Sequence, residues 1–417
     1  MRRHIQVGIL AALVAAMCTA AAAEGVRLSV GSGQDTMTLL IVEGTPYEMG
    51  RAFGNLMKDE CNALLTRFLD VARAYGERCS DQTLDAAWES IKPHTDPRFV
   101  EELRGLADGA GIPLQTVIRG HMIPVVSDYS CSGVAMWGEA TANGHLYQIR
   151  NLDYTVAGGL QDHPAIVVYR PTEGIPHVNV TFAGYIGCNT GINAEGIALT
   201  EKGESPSKDY PFDLNGVHFS TLYRTILYDA RSLDDALDIV KQARRIKKYY
   251  FYIGDGQHKR AAKLKLSSPD MRIWFDNDPA DELHPNVLEN CIYHTMKNDV
   301  AFAQLSEGYG KHDHMSFIRL SKSCASENGN LLNVVYDATG LEMWVAYAEG
   351  AEHASARPYV HVDLNEYLNY DLTAAAQEDA DVTVTETPPG KSPVALFVIL
   401  GILVVVVAGL VIWRRRR

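Results

Sequence analysis

Two groups of short strands held apart by a pair of helices constrain this chain more than any other feature. Strand candidates lie at 145–150, 165–170, 178–182 and 197–200, each bounded by Gly, Pro or Asn turns. Helical spacing takes over at 219–230 and again from the N-cap Ser232 through Ala243. Strands return at 249–254, 262–266, 271–275, 331–336 and 341–346. Each strand group must bury a face, and the arrangement that satisfies both groups and the helices is α+β, with stacked sheets in layers. Ahead of this region a strand at 37–42 runs into Thr45-Pro46-Tyr47-Glu48, a capping box with proline at the first helical position. Asp96-Pro97 opens another helix, whose apolar residues Phe99, Leu103, Leu106 and Ala110 keep helical spacing until Gly109-Ala110-Gly111. The first third is therefore mostly helical, and no internal repeat is present.

The ends read differently. Arg2 and Arg3, the apolar run Val7 to Met17 and the small residues Ala20 to Ala23 predict a signal peptide over 1–23. A lipoprotein signal at Cys18 is disfavoured, because Met17 stands where a small residue is needed. Val394 to Trp413 is uncharged and apolar and is closed by Arg414 to Arg417. A helix of about 20 residues spans about 30 Å, one hydrocarbon thickness. These features predict a polar stalk over 371–393 with Pro388-Pro389, a transmembrane helix over 394–413 and a basic stop-transfer tail over 414–417. The expected localisation is exported and anchored by a single span, with residues 24–390 outside the cytoplasm.

Net charge is −13, and removing the cations of the two ends, Lys391 among them, leaves the exported part near −20. That excludes nucleic acid and an anionic membrane surface as partners of the ectodomain. Six cysteines remain after the signal, namely Cys61, Cys79, Cys131, Cys188, Cys291 and Cys324. They give no disulfide framework, and Cys61 with Cys79 is the one candidate pair.

Cys131 stands apart. It opens Cys131-Ser132-Gly133-Val134-Ala135-Met136-Trp137, followed by turn residues Ala142-Asn143-Gly144 and a run ending in Arg150-Asn151-Leu152-Asp153. Read as a β-hairpin, this brings a thiol, a cation and a carboxylate to one end of two paired strands. The trio suits an amidase or acyltransferase in which cleavage between Ser130 and Cys131 frees Cys131 as a new N-terminus. A thiol titrates near about 8.5 and an α-amine near about 7.7–8.0, so the residue's own amine can act as base. No separate histidine and no cofactor is needed. A free cysteine is more often a small buried hydrophobe, and the hairpin alone favours that reading.

Several strings taken together tip the balance. Glu43-Gly44-Thr45-Pro46-Tyr47-Glu48-Met49-Gly50 with Gly54, then Glu102 to Pro113 with its Gly105, Gly109 and Gly111, then the Cys131 hairpin, then Asn333-Val334-Val335-Tyr336-Asp337 with Trp344-Val345-Ala346, follow one another in order. Over roughly residues 37–365 the chain resembles the penicillin acyltransferase-like (isopenicillin-N acyltransferase-type) self-cleaving acyltransferases and hydrolases. These are cysteine N-terminal nucleophile enzymes, more distantly related to bile-salt hydrolase and penicillin V acylase. The resemblance implies a four-layer αββα sandwich, with 24–130 as a helical propeptide that stays bound as a small subunit and 131–370 as the catalytic domain. It implies Cys131 as nucleophile in self-cleavage and in turnover, Arg150 and Asp153 as the residues that polarise and orient it, and a small acyl amide or thioester as substrate.

Departures from the pattern accompany the resemblance. Gly191-Ile192-Asn193-Ala194-Glu195-Gly196-Ile197 resembles the turn that precedes the oxyanion asparagine of the relatives by about ten residues, yet this chain has Glu201, Lys202 and Gly203 there. A backbone N–H, Asn189 or Asn193 is then the substitute donor, or the two asparagines are plain turn residues. At Tyr293-His294-Thr295-Met296, relatives often read His-Thr-Asn, so Asn298 takes over in a shifted register or the second asparagine is missing. His294 is a leaving-group contact or a core histidine. His312-Asp313-His314 lacks further ligands nearby, and Gly254-Asp255-Gly256 lacks the helix of a phosphate loop. The missing asparagines keep a second reading open, an inactive surface-anchored binding protein on the same scaffold. A papain-like protease ranks last, because Cys131 begins a strand and not a helix.

Overall fold

The computed structural model describes residues 25–372 apart from 75, 128, 204–212, 269, 284 and 285. The expected signal peptide, transmembrane helix and basic tail, and the stalk from residue 373, lie outside the described residues. Among the described residues no helix is long and apolar enough to cross a membrane. Residues up to Tyr370 make one unit, described below.

The chain begins with β1 (Gly25–Val30) and β2 (Met37–Gly44), an antiparallel pair. Five helices follow: α1 (Pro46–Leu56), α2 (Lys58–Ala74), α3 (Asp81–Ile91), α4 (Pro97–Ala110) and α5 (Leu114–Val126). The capping box at α1 is present, with the Thr45 hydroxyl accepting from the Glu48 N–H and Glu48 accepting from the Thr45 N–H. Gly111 ends α4 at φ 67°, a left-handed conformation that glycine adopts without penalty. The glycines in the two most recognisable strings have a packing reason. A Cβ on Gly105 would lie 2.0 Å from the Tyr47 carbonyl oxygen, and one on Gly50 would lie 2.1 Å from the Glu102 carbonyl oxygen. Helices α1 and α4 thus meet backbone to backbone, which no larger residue allows.

Strands β3 (Ser130–Met136) and β4 (Tyr147–Asp153) form the expected hairpin. Its connection is longer than a tight turn, because a 3-10 turn at Gly138–Ala140 and an Asx turn, with Asn143 Oδ1 accepting from the His145 N–H, delay β4 to Tyr147. Then come β5 (Pro164–Pro171), β6 (His177–Phe182), β7 (Thr190–Asn193), β8 (Ile197–Gly203), α6 (Phe219–Asp229), α7 (Leu233–Gln242), β9 (Tyr249–Asp255), β10 (Arg260–Leu266) and β11 (Met271–Trp274). The unit closes with β12 (Cys291–His294), α8 (Asn298–Glu307), α9 (His314–Cys324), β13 (Leu332–Asp337), β14 (Glu342–Tyr347), β15 (Val360–Asp363) and α10 (Leu364–Leu368).

A nine-stranded sheet runs β1-β2-β5-β6-β7-β8-β9-β10-β11, and a six-stranded sheet runs β12-β3-β4-β13-β14-β15. Among the described strands, only β2 and β5 pair in parallel. The sheets stack through Gly133, whose missing side chain leaves room for the Tyr252 ring, and through Gln148, which donates to Thr200 Oγ1 at 2.9 Å. Helices α1, α6 and α7 cover the large sheet, while α8 and α9 cover the small one around Phe317, Leu320 and Tyr293. The layers are helix, sheet, sheet, helix, so the α+β expectation holds. Two expectations change. The 24–130 segment is helical but also supplies two strands of the large sheet, because β2 is apolar enough to pair with β5 inside it. Cys61 and Cys79 are both buried as free thiols, so the candidate pair is not a disulfide.

Candidate active site

Cys131 is the second residue of β3, and the ladder with β4 runs straight through the Ser130–Cys131 peptide: Ser130 faces Asp153, Cys131 faces Leu152 and Gly133 faces Arg150. Strand alternation puts Cys131 and Arg150 on the face turned toward the large sheet. Both are fully buried. The guanidinium sits beside the sulfur, donates from Nη1 to the Asn151 carbonyl at 2.6 Å and from Nε to the Asn189 carbonyl at 3.1 Å, and has Nη2 3.9 Å from Glu201 Oε2. Burial pushes the Cys131 thiol up to about 12, against the pull of Arg150 and of the Gly203 N–H, which donates to the sulfur.

Asp153, at the end of β4, accepts through Oδ1 from the Ser326 N–H and from Asn330 Nδ2, each at 3.0 Å. Its Oδ2 is buried and has no hydrogen-bond partner. Burial raises this carboxyl to about 6, opposed by those two donors. A buried acceptor left without a donor is costly.

Glu201 was legible only as a departure from the asparagine pattern, and the structure makes it part of the centre. It is fully buried on β8, accepts from the Tyr129 hydroxyl at 2.8 Å through Oε1, and is raised to about 7 by burial, with Arg150 opposing. A signal existed: Ile197-Ala198-Leu199-Thr200 is a buried apolar run, and a Glu continuing it is a charge that must find a partner inside.

The other candidates divide. Asn189 belongs to the site, since its carbonyl holds Arg150 and it lines an apolar cavity next to Leu152. Asn193 does not, because its side chain donates to the Leu227 and Ala230 carbonyls and accepts from the Glu195 and Ile197 N–H groups, which shapes the turn after β7. Asn298 accepts from the Thr295 N–H at 2.7 Å and so fixes the turn before α8. His294 pairs with Gly133 at the end of β12 and sits edge-on to Tyr250. Met296, not an asparagine, reaches Ser130: it is 45% exposed and its sulfur accepts from Ser130 Oγ at 2.8 Å. Its N–H donates to Ser132 Oγ at 3.0 Å. His312 bonds to Leu305 and Ser316, and His314 stacks on Trp344, so the pair shares no common point.

Two cavities meet at this centre. One, about 70 Å³, is apolar and lined by Leu64, Leu65 and Phe68 of α2, Pro124 of α5, Leu152 and Phe182. The other, about 400 Å³, is more polar and reaches Ser130, Asp153, Ser326 and Asn328. They share Phe68, Ser127, Tyr129 and Tyr154.

The sequence profile of the acyl-coenzyme A:6-aminopenicillanic acid acyl-transferase family matches residues 140–295. Over those residues the chain is similar to the acyl-transferase family that the profile describes. Protein dcd1B of Dictyostelium discoideum is 29% identical over 297 residues, which cover 66% of this chain and 59% of that protein. Protein dcd1A of the same organism is 25% identical over 402 residues, covering 83% of this chain and 89% of that one. The N-acylethanolamine-hydrolyzing acid amidase of Mus musculus is 24% identical over 204 residues, covering 46% and 55%. The chain thus spans little more than half the length of the first and third of these relatives. The helix–sheet–sheet–helix order of the described residues is the layer order that the sequence resemblance implies.

Proposed function

We propose that this protein is a self-cleaving cysteine amidase or acyltransferase that acts on small acylated substrates. The observation that carries this is Cys131 with the Arg150 guanidinium at its sulfur and an unpartnered Asp153 oxygen at the neighbouring peptide. In maturation the Cys131 thiol adds to the Ser130 carbonyl carbon. The C–N bond breaks as the nitrogen takes the thiol's proton, leaving a thioester and a free α-amine. Water opens the thioester, giving a Ser130 carboxylate and the thiol. The new amine has an acceptor waiting in Asp153 Oδ2, which holds it for proton transfer. In turnover the thiol attacks a substrate amide or thioester carbonyl, the leaving group departs with the amine's proton, and the acyl-enzyme passes to water or to an acceptor amine.

The lining of the smaller cavity by Leu64, Leu65, Phe68 and Phe182 supports an apolar acyl group. The amide hydrolysis named for the mouse relative is the same class of chemistry. The 25–130 segment is then retained as a subunit, through β2 in the large sheet and through the buried Glu102–Arg224 pair at 2.6 Å that joins α4 to α6. The test is a reducing gel and an N-terminal read of the purified protein, followed by a panel of N-acyl amides and thioesters. Two fragments meeting at Ser130 and Cys131 with turnover on one class are expected. An uncut chain that binds but never turns over would favour the binding-protein reading.

A further inference from the structure

Tyr129, two residues before the nucleophile, occupies a berth whose walls come from the other side of the cleavage point. Its hydroxyl donates to Glu201 Oε1 at 2.8 Å. Its ring lies on Gly203, where a Cβ would fall 2.6 Å from the ring's Cε2, so the glycine is there for space and not for a special backbone angle. Lys247 sets its ammonium 5.2 Å from the ring centre while donating to the Ser127 carbonyl at 3.1 Å and the Pro124 carbonyl at 3.4 Å. Phe219 closes the side with its ring 6.0 Å away. The link between α5 and β3 is therefore clamped at Ser127 and Tyr129, and the β3–β4 ladder takes hold from Ser130 onward.

We propose that Tyr129 is a positioning residue for self-cleavage, holding the Ser130 carbonyl at the Cys131 sulfur through its seat against Glu201, Gly203 and Lys247. The inference rests on the self-cleavage reading and adds to it a residue that no strand or motif marks. A connecting segment between a helix and a strand needs no half-buried phenol bonded to a buried carboxyl. Attack within one residue of the sulfur needs the carbonyl fixed at contact distance, and misplacement by about 1 Å can cost about 10²-fold. The hydroxyl also joins the segment to the charges of the centre, because Glu201 in turn faces Arg150 and, through the latter, Cys131.

The experiment follows conversion of freshly purified full chain into two fragments over time and pH, for wild type, Tyr129→Phe, Tyr129→Ala and Gly203→Ala. Tyr129→Phe is expected to slow cleavage about tenfold, the worth of one buried hydrogen bond to a charged group, and Tyr129→Ala about 10²-fold or more. Gly203→Ala keeps the hydroxyl but crowds the ring, and is expected to slow cleavage too. Glu201 also faces Lys202 on its own strand, Lys247 beyond α7, and the phenols of Tyr223 and Tyr249. Of these contacts only the Tyr129 donor is lost in Tyr129→Phe, and loss of a donor to a carboxylate raises its pKa, so the cleavage profile's midpoint should move up in pH. A slower rate with an unmoved midpoint would mean that Tyr129 merely packs, and would overturn the inference. So would a Tyr129→Phe chain that cleaves at the wild-type rate. Cys131→Ala runs alongside: if it is cut, the self-cleavage reading itself fails, whereas an intact Cys131→Ala beside an unaffected Tyr129→Phe sinks this inference alone.

Discussion

Two regions of the molecule use burial for opposite ends. Where α1 crosses α4, glycines let the backbones touch, and the buried Glu102 beside them is held by Arg224 at 2.6 Å, with its Oε1 left without a hydrogen-bond partner. At the meeting of β3, β4 and β8, Arg150 Nη2, Asp153 Oδ2 and Glu201 Oε2 are all buried without a hydrogen-bond partner. Glu102 keeps a close ion-pair partner, whereas Arg150 and Glu201 face each other only at 3.9 Å. Orphaned charge concentrated at one point is the mark of groups whose partners arrive during chemistry. The difference teaches which changes act on stability and which act on reaction.

The sharpest break is Cys131→Ala, which should abolish both cleavage and turnover while leaving a folded, single chain; any residual fragment pair ending at Ser130 would contradict it. Next comes Asp153→Asn, which keeps the Oδ1 acceptor but removes the charge at Oδ2. Turnover on the amide found by the panel should fall by about 10²-fold, with no loss of melting temperature at pH 7. A parallel loss of both would put Asp153 with the structural region. Gly105→Ala is the counterpart in the helix pair. Its methyl meets the Tyr47 carbonyl oxygen, and overpacking of this kind costs about 1–3 kcal/mol, read as a lower melting temperature with unchanged activity per folded molecule.

The smallest effect is on pH. Asp153 and Glu201 have folded pKa values of about 6 and about 7, above their ordinary 3.8 and 4.5, so the folded chain binds their protons more tightly than the unfolded chain does. Their contribution to stability is then fully present below the ordinary values and lost as pH rises from about 4 up to about 6 for Asp153 and about 7 for Glu201. Melting temperature should decline across that window, and Asp153→Asn should flatten the part between about pH 4 and 6. An equally steep decline in that variant would assign the effect elsewhere.

The helix pair was readable because its signals are local: a capping box, helical spacing and glycines four apart. The hairpin was readable for the same reason, and it brought Cys131, Arg150 and Asp153 together correctly. What escaped depends on distance along the chain. β7, β12 and β15 have four residues each, too few for alternation to show against turn residues. β3 and β4 pair with β12 and β13, from more than a hundred residues further on, so the two strand groups of the sequence are not the two sheets. Glu201 reaches Arg150 only across the sheet stack, and Tyr129 reaches Glu201 across 72 positions.

The parallel pairing of β2 with β5 has a consequence for the life of the molecule. Folding as one chain, the two halves meet at the high effective concentration that a covalent tether provides. In the self-cleaved form proposed above, the β1–β2 pair at one side of the large sheet would belong to a separate polypeptide, and its return after unfolding would become a bimolecular search. That form would be assembled once and kept by its unfolding barrier, not by an equilibrium it can revisit, and its denaturation would be a one-way event.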